Sequence, residues 1–97
     1  MPGKILVVDD MPTNLKLLAD LLGVKGYAVV TARGGREALE KVSREQPDLV
    51  LLDVMMPDMN GYEVCRAIRA DPATTMLPVV MVTALDATEE RVKGLEA

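Results

Sequence analysis

The sequence predicts an α/β domain built on a doubly wound parallel sheet, and three observations carry that prediction. Ile5–Val8, Leu49–Leu52 and Val79–Val82 are continuous apolar runs, not alternating ones, which is how a strand covered on both faces reads. The segments between the runs place apolar residues at helical spacing and are bounded by Pro and Gly. Strands and helices therefore alternate through short connections, the pattern of right-handed crossovers with helices on both sheet faces.

Each element has its own signal. Lys4–Val8 is the first strand and ends on the acid pair Asp9-Asp10. Pro12 suits a first helical turn, and Leu15, Leu18, Ala19 and Leu22 share one face, so a helix near 12–24 follows, ended by Gly23 and Gly26. Tyr27–Thr31 is a more polar strand. Gly34-Gly35 opens a helix carrying Ala38, Leu39 and Val42, which Pro47 closes ahead of the strand Asp48–Leu52. Gly61 precedes a helix with Val64, Cys65 and Ile68, broken by Asp71-Pro72. Pro78 leads into Val79–Val82, and Asp86 begins a last helix with Val92 and Leu95. Tyr27–Thr31, the least apolar strand, belongs at an edge, which places the first strand beside the third in a flavodoxin-like order, 2-1-3-4. Ligands of open α/β sheets bind beyond the carboxyl ends of the strands where the order reverses. Asp9, Asp10 and Asp53 project from the two strand ends at that reversal.

Bulk properties exclude several function classes. A chain of 97 residues forms one modest domain. Its net charge of −4 offers no basic face for direct contact with nucleic acid or anionic lipid. The apolar runs fall far short of the ~20 residues a membrane helix needs, and no signal-peptide pattern begins the chain. A cytoplasmic protein is expected. Cys65 has no disulfide partner in the chain, and the absence of histidine removes imidazole catalysis and His-ligated zinc. Carboxylates, hydroxyls and backbone must carry the chemistry.

One aspartate at a strand end is an ordinary turn or cap residue. Three within a few ångströms repel, and a shared proton or a bound cation must offset that repulsion. Mg²⁺ takes oxygen ligands and is held by one or two carboxylates together with phosphate oxygens, so such a site is complete only with a phosphoryl group.

The acid pair Asp9-Asp10 after an apolar strand, Asp53 ending the third, the run Asp53-Val54-Met55-Met56-Pro57 with Gly61 beyond it, and Thr83-Ala84 closing the fourth together resemble the receiver domain of two-component response regulators. The resemblance covers essentially the whole chain. It implies that Asp53 accepts a phosphoryl group from a sensor histidine kinase or phosphotransfer protein. It implies that Asp10 binds Mg²⁺ directly, that Asp9 does so largely through water, and that the Met55 carbonyl is a further ligand. It also implies that the Thr83 hydroxyl bonds a phosphoryl oxygen, that small Ala84 leaves access to Asp53, and that Pro57 and Gly61 shape the intervening loop. Gly61 does so by close approach or by positive φ.

Receivers continue into a fifth strand that supplies a lysine, and into a last helix; neither is present, and Lys93 does not match that lysine. Residues 1–97 are therefore expected to be a C-terminally incomplete receiver domain, with the output domain elsewhere in the parent chain. The stretch from Cys65 to Val79 resembles receivers placed ahead of longer output regions such as cyclases or sensor-kinase hybrids. The fourth strand is left as an apolar edge open to self-association. Two other functions compete: an assembly-only pseudo-receiver, and a Mg²⁺-dependent phosphohydrolase with an aspartyl nucleophile. Such hydrolases place a second acid two residues beyond the nucleophile, where this chain has Met55. Of the remaining residues, Gly34-Gly35 reads as a plain helix-start turn and Met55, Met56 and Met59 as gap fillers or loop lining. Cys65 reads as a small buried hydrophobe, and Asn14 and Arg33 as solvated surface.

Overall fold

The computed structural model describes residues 3–82; Thr83, Ala84, Lys93 and the helix expected from Asp86 lie outside the described residues. The elements follow in the order β1 (Lys4–Val8), α1 (Pro12–Val24), β2 (Ala28–Ala32), α2 (Gly35–Glu45), β3 (Leu49–Asp53), α3 (Gly61–Ala70) and β4 (Val79–Val82). The sheet is parallel, in the order β2-β1-β3-β4. The expected fold class and strand order are both observed.

Continuous apolar strands are explained by what covers each face. In β1, Leu6 and Val8 face a core shared with Val50, Leu52, Ala38, Val42, Val64 and Ile68, on the side of α2 and α3. Ile5 and Val7 face the opposite side, where Leu15 of α1 is buried on them with Leu18 and Leu22. On that second side the cover thins toward β4: Leu49 and Leu51 are half-buried, and Val80 is 47% exposed. Among the described residues no helix is long and apolar enough to cross a membrane.

Two details differ from expectation, the bounds of β2 and β3 and the burial of Cys65. β2 and β3 each lie one residue later than their expected bounds, and Asp53 ends β3, as the motif implied. α1 has the expected span, Pro12–Val24, with Gly23 in its last turn and the reversal made at Gly26, with φ +95. The amides of Lys25 and Tyr27 both donate to the Leu22 carbonyl and that of Gly26 to Gly23, closing the helix without a break at Gly23. Cys65 is half-buried, packed against the α2/α3 core without being enclosed by it.

Leu6 is fully buried in a central strand, whereas Leu21 on α1 is 53% exposed. Leu6→Ala is expected to lower unfolding stability in urea by about 2–5 kcal/mol. Leu21→Ala should change it by no more than about 0.5 kcal/mol.

Candidate functional site

The register of β1 and β3 builds the site. Val8 lies beside Leu52, so the residues that follow, Asp9 and Asp53, leave adjacent strands at the same edge. The Asp9 amide donates to the Ala32 carbonyl at 3.1 Å, which continues the pairing with β2 and holds the Asp9 backbone down. Among the described residues, Asp9 and Asp53 are the buried charged side chains, 7% and 4% exposed. Asp10 is half-buried beside them. One carboxylate oxygen from each of the three lies within 4.8 Å of the others. Two like unit charges about 5 Å apart cost on the order of 3 kcal/mol at an effective dielectric near 20, a repulsion that a shared proton or a bound cation offsets. The cluster's donors are all hard oxygens with no nitrogen or sulfur, a set that fits Mg²⁺.

Local hydrogen bonds fix two of the three carboxylates. Asp9 accepts from the Met11 amide at 2.9 Å through Oδ1 and from the Asn14 side-chain amide at 3.2 Å through Oδ2. Asn14 is therefore a site residue and not solvated surface, because the first turn of α1 carries it back over the strand end. Arg33 is exposed, as expected. Asp53 accepts from the Met55 amide at 3.3 Å.

The loop after β3 is held close to that strand. The Gly61 amide donates to the Val54 carbonyl at 2.9 Å. A Cβ on Gly61 would stand 2.7 Å from the Asp53 carbonyl oxygen and 3.0 Å from Val54 Cα. Of the two reasons for a glycine here, close approach is the one the structure contains; among the described residues, Gly26 is the glycine with positive φ. Between these points Met56 is buried in the α2/α3 core, while Met55 and Pro57 are exposed. A capping box then starts α3: the Glu63 amide donates to the Asn60 side chain, and the Asn60 amide to the Glu63 carboxylate.

Asp58 escapes a reading by sequence pattern. Its carboxylate accepts from the Gly35 amide at 3.1 Å and the Arg36 amide at 3.2 Å, at the start of α2. The Gly35 amide first, then those of Arg36 and Met59, hold its carboxyl below the usual aspartate value. The nearest available signal is indirect: α2 has glycine at its N-cap, so its first amides need an acceptor from elsewhere.

A parallel 2-1-3-4 sheet with an acid cluster at its reversal places the chain among flavodoxin-like α/β domains. Residues 5–97 match the family described as "Response regulator receiver domain", and the chain belongs to that family. It is similar to the response regulator PleD of Caulobacter vibrioides, 48% identical over 97 residues, all of this chain and 21% of that protein. The chain thus spans about a fifth of the length of that relative. It is also similar to the N-terminal domain of a response regulator receiver protein from Methanoculleus marisnigri, with TM-score 0.83 and 42% identity over 97% of this chain and 76% of that one. A third likeness is the BeF3-activated N-terminal receiver domain of Klebsiella pneumoniae RstA, with TM-score 0.79 and 38% identity over 97% of this chain and 78% of that one. Being a receiver, the chain is a phosphoacceptor signalling module of the two-component type.

Two outcomes are expected from this geometry. Gly61→Ala sets a methyl against backbone that cannot retract, so it should cost about 1–3 kcal/mol in urea unfolding. The lowered carboxyl of Asp58 stabilises the fold above its ordinary value of 3.8, and this contribution is lost as pH falls through the lower folded value. The stability gap between wild type and Asp58→Asn should therefore hold steady from about pH 5 to pH 8 and shrink below about pH 4 in urea titrations.

Proposed function

We propose that Asp53 is the phosphoacceptor, that Asp10, Asp53 and the Met55 carbonyl hold Mg²⁺, and that Asp9 reaches the ion through water. The observation that carries this is the meeting of three carboxylate oxygens within 4.8 Å at the carboxyl edge of β1 and β3. When bound, Mg²⁺ offsets the charge of the incoming phosphoryl group and aligns it. An Asp53 oxygen attacks phosphorus in line as the bond from phosphorus to the donor's imidazole nitrogen breaks. The bonding pair leaves with that nitrogen, which recovers a proton from solvent.

The other residues position. The Met11 amide and Asn14 hold Asp9 in one orientation at the edge of the site. Gly61 and Pro57 shape the loop that carries Met55. To Thr83, which follows Val82 in the sequence, this reading assigns a hydroxyl that bonds a phosphoryl oxygen, and to Ala84 a side chain small enough to leave Asp53 accessible.

The donor we infer is a sensor histidine kinase or phosphotransfer protein, the receiving side an output region of the parent protein, and the setting the cytoplasm. β4 ends the sheet among the described residues with Val80 exposed, and pairing with a second chain through it is part of this reading. A phosphohydrolase acting on outside substrates is disfavoured because an exposed methionine, Met55, stands two residues past Asp53, where such an enzyme needs its acid. A pseudo-receiver is disfavoured because the acid cluster is intact.

Incubation with a small phosphodonor and Mg²⁺ is expected to add the mass of one phosphoryl group, placed on Asp53 by peptide mass spectrometry, and a chelator should prevent it. Asp53→Ala should take up none, and Asp10→Asn should weaken Mg²⁺ binding by about tenfold or more. Phosphate found on Asp53→Ala would overturn the assignment.

A further inference from the structure

The loop that follows β3 is fastened to a helix to which it is not joined. α2 starts after Gly34, which has no side chain to cap it. Asp58 supplies the missing acceptor from another loop, each carboxylate oxygen taking a separate amide, Gly35 at 3.1 Å and Arg36 at 3.2 Å. Both glycines make room for this. A Cβ on Gly34 would lie 3.1 Å from each Asp58 oxygen, and one on Gly35 would lie 2.6 Å from Met59 Cβ and 2.9 Å from Val64 Cγ2. Gly34-Gly35 is thus more than a plain turn at a helix start: it is the seat of the β3–α3 loop.

The same loop is fixed at its near end by the bonds from the Gly61 amide to the Val54 carbonyl and from the Met55 amide to Asp53. Between that end and Asp58, Met55 and Pro57 are exposed while Met56 is buried in the α2/α3 core. The geometry points to Asp58 as a positioning residue: by gripping the first turn of α2 it sets the path of the loop and so the place of the Met55 carbonyl. This inference rests on the phosphoacceptor reading above, in which that carbonyl is a ligand of Mg²⁺.

The test separates positioning from simple capping of α2. Mg²⁺ affinity, urea stability and hydrogen exchange of the Met55 amide without metal are compared in wild type, Asp58→Asn, Asp58→Ala and the double variant Gly34→Ser/Asp58→Ala. Asp58→Ala is expected to bind Mg²⁺ about tenfold more weakly, the lower end for loss of an outer-shell partner, and to exchange the Met55 amide faster. Asp58→Asn keeps one acceptor oxygen and should fall between. In the double variant the serine hydroxyl caps α2 in the space Asp58 has left, so stability returns while Mg²⁺ affinity and exchange stay impaired. Affinity that recovers together with stability would make Asp58 a cap and nothing more. Unchanged affinity and exchange in Asp58→Ala would overturn the inference alone. A wild-type chain that takes up no Mg²⁺ would overturn the phosphoacceptor reading and this role with it.

Discussion

The structure depends on one juxtaposition, that of β1 and β3, which are not consecutive in sequence and yet lie side by side. Because they run parallel and in register, Val8 beside Leu52, their acidic ends arrive together. In an antiparallel pairing the two carboxyl ends would point opposite ways, and Asp9 and Asp53 would be a strand's length apart. The register is in turn set by burial on both faces. Leu6, Val8, Val50 and Leu52 fill one core while Ile5 and Val7 face the other. A slip of one residue would exchange these sets between differently shaped cores. Charge repulsion at the edge is thus opposed by apolar packing of the whole sheet, and the acids stay close because their strands cannot move apart.

Two glycine contacts carry this rigidity from the strands to the loops. Gly61 brings α3 so near the end of β3 that no side chain fits between them, and Gly35 does the same between α2 and the Met59–Val64 region. Close packing at backbone distance leaves few alternative arrangements. The loop bearing Met55 is short, exposed on one side and anchored by Met56 in the core on the other. It therefore has little freedom despite lacking regular structure.

How much of this the sequence discloses depends on whether a feature is periodic. The strands and helices were legible because continuous apolar runs and helical stripes repeat. Strand order followed from Tyr27–Thr31 being the least apolar strand, and the acid cluster followed from strand order. Boundaries were less exact: β2 and β3 are displaced by one residue because propensity does not distinguish a strand's last residue from the residue after it. The end of α1 was legible from its two glycines: Gly23, with nothing near it, is tolerated in the last turn, and Gly26 makes the reversal. Asn14 and Asp58 were missed for a different reason. Each acts across a turn or between two loops, through a single side-chain contact that has no period. Only the bare glycine at the start of α2 hinted that an acceptor would come from outside.

The clasp at Asp58 bears on how a change at the site leaves it. A shift of the loop cannot be absorbed by the loop alone. Its near end is bonded to Gly61, the first residue of α3, and its far end to the first turn of α2. These two helices share Val42, Val64 and Ile68 in one buried cluster. Moving one helix start without the other would open a gap in that cluster, at a cost that grows with the volume of the cavity formed. Shared packing and these hydrogen bonds therefore couple the two helix starts to the loop. In the role inferred for Asp58, two amide bonds to one exposed carboxylate add to the shared core a second link between the loop and α2, the kind of discrete coupling that switch elements use.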